Sequence, residues 1–407
     1  MILRKLQFPI LLVIAVSIAA FARSDDQPET NPKREHALEL YKQGKLVDAM
    51  PLLEELSSEN PKDAVVMELW GASVLGYADT LSDPQLRKKS RVRARSILLE
   101  AQALGNHSDL LETLLRNLPE DGSFSAYSEN KDAEAAMQQA EADFARGDPE
   151  KARQGYLRAH LLDPNNYYAP LFIGDSYFKQ HQPAYAGQWF AEATRIDANK
   201  ETAYRYWGDA LLSVGKLDEA RTKYIEAIVA DPYNQSSWNG LRNWQNRTKL
   251  SLTWIRLKDG VAIEVKDGKT NITVDSSLAK DDPLTAGWLA YGMSRALWMR
   301  EKFAQQYPKD ASYRHSLKEE TEALASLIAV ATEIAAKQKA PPAGTLATLA
   351  EIKKAGLLEP FALLNRADRG IAQDYAPYRD SNRDNIRRYL NEFVVPRAPA
   401  EAEQAGN

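Results

Sequence analysis

Apolar positions recur every three or four residues along most of this chain, the period of one face of an α-helix. The period changes once. The stretch LSLTWIRLKDGVAIEVKDGKTNITVD alternates, with Val261, Ile263 and Val265 on one side and Ile272 and Val274 continuing it. Asp259-Gly260 and Asp267-Gly268 are hairpin-turn dipeptides. The pattern predicts a three-stranded β-meander from Ser251 to Asp275, within a segment spanning 249–276. Three strands are barely self-supporting, so a helix must cover one face. Beyond it the helical period returns over Leu284–Gln306, Tyr313–Gln338, Leu346–Ala355, Pro360–Asp374 and Arg383–Phe393. Asp282-Pro283, Pro308, Pro341-Pro342 and Pro377 punctuate these helices. A helical C-terminal domain is therefore expected over 277–395, with a disordered tail over 396–407.

Before the meander the helical pattern is itself periodic. Segments 133–166, 167–200 and 201–234 superimpose without a gap at 34 residues. Ala140, Gly174 and Gly208 share one column, and Ala152, Ala186 and Ala220 another. Tyr156, Phe190 and Tyr224 form a third, and Ala159, Ala193 and Ala227 a fourth. Gly147, Gly215 and the HQP of the middle segment fall where a turn would join two helices, and Pro164 and Pro232 close the first and third units. Antiparallel helices need small residues where their backbones approach, and a ring beside them to fill the space.

These columns resemble the tetratricopeptide repeat (TPR) family, whose helix-turn-helix units have this length and this small/aromatic pattern. Two divergent units precede the regular ones. The first holds Ala37, Gly44, Ala49, Leu53 and Pro61 in the expected columns. The second pairs MELWGASVLGYA with RARSILLEAQALG, after the insert DTLSDPQLRKKSR. HSDLLETLLRNL reads as a further helix and PEDGSFSAYSENKD as a loop. SSWNGLRNWQNR, about 235–247, reads as the capping helix that covers the last apolar face of an array spanning 32–248. The expected fold class is thus mainly α: a TPR-type helix-turn-helix solenoid, a small β-meander and a C-terminal helical domain.

The first 22 residues differ from everything that follows. Arg4 and Lys5 precede an uncharged apolar run that ends in Ala20-Phe21-Ala22, an A-x-A cleavage signal. This predicts a secretory signal peptide cut after Ala22, a flexible lead-in over 23–31, and an exported protein, periplasmic or secreted. An uncleaved anchor is the alternative, although the run is short for a span of about 20 residues. With cleavage, no stable membrane span remains. The chain of 407 residues carries a net charge of −4, so a basic nucleic-acid surface is not expected and no nucleic-acid partner is predicted. It contains no cysteine, which removes disulfides, thiolate nucleophiles and Cys-ligated zinc.

Candidate chemistry is sparse. The five histidines, His36, His107, His160, His181 and His315, form no short metal-ligand pair. No phosphate loop, nucleophile elbow or dinucleotide fingerprint occurs. No catalytic residue, cofactor or metal is therefore predicted. His315 with Glu319 and Glu320 reads as a charged helix surface, with a hydrolytic pair as the rarer option. Trp238, Trp244, Trp254, Trp288 and Trp298 cluster in sequence and read as core rings between the array and the C-terminal domain, with a sugar-binding platform as the alternative. Arg383, Asp384, Arg387 and Arg388 suggest ion pairs along a helix.

The resemblance implies a groove lined by the first helices of successive repeats, where extended peptides or partner segments bind. Carried onto this chain, the groove columns hold Tyr168, Leu171, Asp175, Phe178, Arg205, Asp209, Leu212, Asn239 and Asn243, together with Glu134, Met137, Glu141 and Phe144 in the first unit. Asp175 and Asp209 would favour a ligand of basic character, and Asn239 and Asn243 could pair with a peptide backbone. Met137, Glu141 and Phe172 stand where one subtype of the family needs Lys and Asn to hold acidic chaperone tails, so that ligand is not implied. The expectation is a non-enzymatic scaffold or adaptor of the cell envelope that binds a peptide or protein partner. The alternative is an envelope enzyme or accessory subunit with its active site in the C-terminal domain.

Overall fold

The computed structural model describes residues 31–81, 83–123, 126–266, 269–275, 277 and 282–397. The predicted signal peptide, most of the lead-in and most of the tail lie outside them. The chain divides into two compact units, one holding residues to Ala227 with Asn234–Gly240, the other Ile228–Tyr233 with Leu241 onward.

The first unit is built of helix pairs: α1 (Pro32–Lys42) with α2 (Leu46–Glu59), and α3 (Ala64–Asp79) with α4 (Pro84–Ala103). After α5 (Asp109–Asn117) come α6 (Lys131–Ala145) with α7 (Pro149–Leu162), and α8 (Tyr168–Lys179) with α9 (Pro183–Ile196). α10 (Glu201–Ser213) with α11 (Leu217–Ala230), and then α12 (Gln235–Thr248), complete the series. The three regular repeats are α6–α7, α8–α9 and α10–α11, in the register that the 34-residue columns predict.

Each pair starts and stops for local reasons. Asn31, Asp63, Asp83 and Asn130 accept backbone N–H groups at the starts of α1, α3, α4 and α6. The turns inside the pairs place Gly44, Gly147 and Gly215 in the left-handed region, at φ of 75°, 81° and 79°. The middle repeat has no glycine there, and His181 adopts φ 57° in its stead. Its turn still closes in the same way, with Gln182 N–H on the Tyr177 carbonyl at 2.9 Å, as Asp148 N–H closes on Asp143 at 3.0 Å.

Helix pairing is tightest at the columns of small residues. A Cβ added at Gly174 would lie 2.6 Å from the Phe190 ring, and one at Gly208 would press still closer on Tyr224. Tyr224 also closes on Gly240 of α12, so glycines flank this ring on two helices. Tyr156, Phe190 and Tyr224 are fully buried, as are Ala152, Ala186 and Ala220.

The divergent second pair departs from expectation. The segment read as an insert is the first half of α4, which starts at Pro84 after the Asp83 cap. Its polar residues hid the helix. Arg87 is buried because it donates to the Leu81 carbonyl at 2.7 and 3.0 Å, and Arg91 because it donates to Gly122 O at 3.1 Å.

In the second unit, β1 (Val261–Lys266) and β2 (Lys269–Val274) form an antiparallel hairpin, so among the described residues the sheet has two strands and not three. Residues 251–260 run without a ladder. Thr253 N–H bonds to Val394 O at 2.8 Å, which takes this stretch away from β1. The register pairs Val261 with Val274 and Ile263 with Ile272, as the alternation predicts. The turn dipeptide Asp267-Gly268 lies outside the described residues. The covering helix is α13 (Pro283–Leu297), where a Cβ at Gly292 would meet Ile272 at 2.7 Å.

A π-turn over Trp298–Lys302 continues α13 into α14 (Phe303–Gln306). α15 (Leu317–Lys337) packs against α13 at Gly287, and α16 (Gly344–Lys354), α17 (Leu358–Asn365) and α18 (Tyr375–Tyr389) follow. The helix expected over Pro360–Asp374 ends at Asn365, and the last helix starts at Tyr375 rather than Arg383. Pro377, taken as a break, sits in the first turn of α18, where no intrahelical N–H is required of it. Arg379 and Tyr375 donate to the carbonyls of Ala230 and Val229 at 2.8 and 2.7 Å, all four residues lying within the second unit. Arg387 pairs with Asp384, and Arg388 with Glu392 at 3.1 Å, so the expected ion pairs along this helix form. Trp244, Trp288 and Trp298 are buried, whereas Trp254 is 47% exposed.

Replacing Gly208 by valine should lower stability by about 2 kcal/mol through overpacking against Tyr224. Gly215→Ala, strained only by its positive φ, should cost about 1 kcal/mol. Urea unfolding of both variants tests this, and an equal or reversed order would contradict the close approach.

Candidate peptide-binding groove

The groove columns lie on α6, α8, α10 and α12, and the structure treats them unequally. Leu171 and Asp175 are each 3% exposed and sit beneath the surface. Tyr168, Phe178, Leu212 and Asn239 are half-buried, with part of each side chain outward. Asn243 is exposed and belongs to the second unit, so it is not brought together with the others.

The acidic column of Glu141, Asp175 and Asp209, expected to meet a ligand, is largely used inside the repeats. Glu141 accepts the Tyr156 hydroxyl, and Asp209 accepts the Tyr224 hydroxyl at 2.7 Å. In the middle repeat Phe190 has no hydroxyl to give. There Asp175 instead pairs with Lys179 one turn along the same helix, at 3.2 Å. Arg205 pairs with Glu201 at 3.0 Å and lies over the Tyr206 ring at 4.6 Å. The acidic character expected of the groove centre is thus spent on tyrosines and neighbouring cations.

Burial sets the protonation of these acids. It pushes the Glu141 carboxyl up to about 8, against hydrogen bonds from Tyr156 and Tyr127. It raises Asp209 to about 6, opposed by the Arg205 charge and the Tyr224 bond. Asp175 is raised by burial as well, with Lys179 opposing.

Two concavities flank this face. One, about 560 Å³, holds Tyr168 with Tyr127, Asn166, Asp197 and Lys200 beside the loops between repeats. Tyr127 stands edge-on to Tyr168 and Phe172, with ring centroids 5.7 and 5.9 Å apart, and so fills the face between α6 and α8 from the preceding loop. Lys200 sets its ammonium 4.5 Å from the Tyr168 ring. The other, about 750 Å³, lies at the turns inside the pairs and takes in Phe144 and Phe178.

His315, Glu319 and Glu320 do not form a charged helix surface. Both glutamates are fully buried. Glu319 accepts from Arg295 at 2.9 Å and from the Tyr313 hydroxyl at 2.7 Å. Glu320 accepts from Arg366 at 2.9 Å, from the Tyr291 hydroxyl, and lies 3.1 Å from His315 Nε2. His315 Nδ1 is 2.8 Å from Asp368. Burial alone would raise Glu320, but His315 and Arg366 outweigh it and hold the carboxyl below its ordinary range. The sequence separation of these partners, up to 109 residues in the network around Arg366, is why no local motif revealed them. Removing one member would leave a buried charge uncompensated, so the cluster locks the second unit together.

Among the described residues no group of three or more His, Asp or Glu side chains is placed to hold a metal, and no helix is long and apolar enough to cross a membrane.

No family model matches the chain, and no curated protein matches it. Solved structures similar to it include the first TPR of Spaghetti (RPAP3) bound to an HSP90 peptide, at 22% identity over 31% of this chain and 100% of that one, with a TM-score of 0.28. YrrB, a TPR protein with an unusual peptide-binding site, is 14% identical over 53% of this chain and 92% of its own, with a TM-score of 0.27. A thermophilic TPR protein of Thermus thermophilus is 17% identical over 54% and 98%, with a TM-score of 0.25.

The Glu141 proton is held more tightly in the folded chain than in the unfolded one. Its contribution to stability is therefore complete below the ordinary carboxylate range and is lost as pH rises towards about 8. Glu141→Gln should match the parent at pH 5 and exceed it by more than about 1 kcal/mol at pH 8.5 in urea unfolding. The same difference at both pH values would contradict this.

Proposed function

We propose that the chain is a non-enzymatic TPR-type scaffold that captures a peptide or protein partner on the face formed by the first helices of its repeats. One observation carries this reading. At 34-residue spacing, Phe178 of α8 and Leu212 of α10 take equivalent places on one face, and both, like Tyr168, are half-buried with part of the side chain outward. Asn239 of α12 extends that set within the same unit. A repeated face of this kind meets an extended chain residue by residue, with aromatic and aliphatic anchors and a side-chain amide for the backbone. Leu171, Asp175, Arg205 and Asp209 support it from below. Asn243 joins the partner site only if it meets the same ligand.

Export belongs to the same proposal. The charged start, apolar run and Ala20-Phe21-Ala22 site support release into the periplasm or outside the cell, with Arg23 as the first mature residue. N-terminal sequencing of the protein from fractionated cells should start at Arg23, and a cytoplasmic chain starting at Met1 would contradict export.

Photocrosslinking side chains placed at Leu212 and Asn239 should give adducts with one common partner in the native host. The same probes at Arg158 and Thr222, exposed on second helices, should give none. Adducts confined to Arg158 and Thr222 would overturn the assignment.

A further inference from the structure

The larger concavity gives the partner a chemistry. Its open apolar surface comes from Phe178 at the end of α8 and Val214 just past α10, with the buried Leu46 and Phe144 behind them. Phe144 and Phe178 belong to the repeated column nearest the turns, so a chain lying along the face of the first helices runs into this cleft. At about 750 Å³ it has room for more than one side chain.

Its charged lining has one sign. Lys42 and Lys179 line the cleft, with His181 beside them, and no Asp or Glu does. Lys42 is exposed in the last turn of α1 and forms no ion pair among the described residues. Lys179 holds its ammonium 4.0 Å from the Phe144 ring. It is also paired with the buried Asp175 at 3.2 Å, and its side chain stays 26% exposed. Tyr41 lines the same cleft, and its buried hydroxyl has no hydrogen-bond partner among the described residues.

Resting on the scaffold reading above, we infer that this cleft binds an acidic peptide segment of the partner that carries an aromatic or aliphatic side chain. The apolar side chain packs on Phe178 and Val214, and the flanking carboxylates meet Lys42 and the exposed part of Lys179. This reverses the basic ligand expected from Asp175 and Asp209, because those acids are already engaged.

The test is fluorescence polarisation of the full chain with a labelled peptide, Asp-Glu-Phe-Leu-Glu-Asp. Two controls accompany it, one with Lys for each acid and one with Ser for Phe and Leu. The acidic apolar peptide should bind about tenfold tighter than either control. Lys42→Glu and Val214→Glu, both at exposed positions, should each weaken it by about tenfold, while Thr202→Trp on the face of α10 should leave it unchanged.

Equal binding of the Lys peptide, or no binding of any peptide, overturns the inference. Loss with Thr202→Trp but not with Lys42→Glu also overturns it, while leaving capture by the repeat face intact. If Asp25→Ser, Asp26→Ser and Glu29→Ser together tighten peptide binding about tenfold, the chain's own lead-in occupies the cleft and an external partner is overturned.

Discussion

The second and third regular repeats depend on one contact, an aromatic ring of the second helix seated against a glycine of the first. At Gly174 and Gly208 the absence of a side chain lets Phe190 and Tyr224 approach to a distance that any Cβ would forbid. That approach fixes the spacing of these two helix pairs, and the 34-residue repetition fixes the step between them. The residues of the first helix that point away from the ring then fall in columns on a common face. That common face exists only while the rings are seated.

The same rings explain what happens to the acids. A tyrosine driven into a helix pair carries a hydroxyl that must find an acceptor once it leaves water. Glu141 and Asp209 provide it in the first and third repeats, and the middle repeat, with Phe190, dispenses with it. Carboxylates that looked available to a ligand are therefore part of the scaffold. At the turn edge, Lys42 is exposed and forms no ion pair among the described residues.

The periodic parts of the fold were legible in the sequence because one physical requirement repeats there. Gly208, Ala220 and Tyr224 mark the close approach, and the φ of 79° at Gly215 marks the turn. What escaped was set by distant partners. α4 starts ten residues before its apolar stripe becomes visible, since Arg87 and Arg91 are buried against carbonyls rather than apolar groups. The third strand is missing because Thr253 bonds to Val394, far along the chain. Glu319 and Glu320 looked like a solvated helix surface, yet Arg295 and Arg366 draw them inward. Of the candidate site, the placement of the columns on the first helices was legible, and the burial and pairing of each residue were not. The Glu141–Tyr156 and Asp209–Tyr224 pairs recur at the same spacing of 15 residues, a signal available within the repeats themselves, although Asp175 stands in the same place opposite Phe190.

A double-mutant cycle on Gly208 and Tyr224 tests the central contact most directly. Gly208→Val, Tyr224→Ala and the double variant are compared with the parent by urea unfolding. If the ring against the glycine sets the pair, valine at 208 costs little once the ring is gone, and the cycle returns a coupling of at least about 1 kcal/mol. Additive losses, with no coupling beyond about 0.3 kcal/mol, would show that the two residues act independently and would contradict this account.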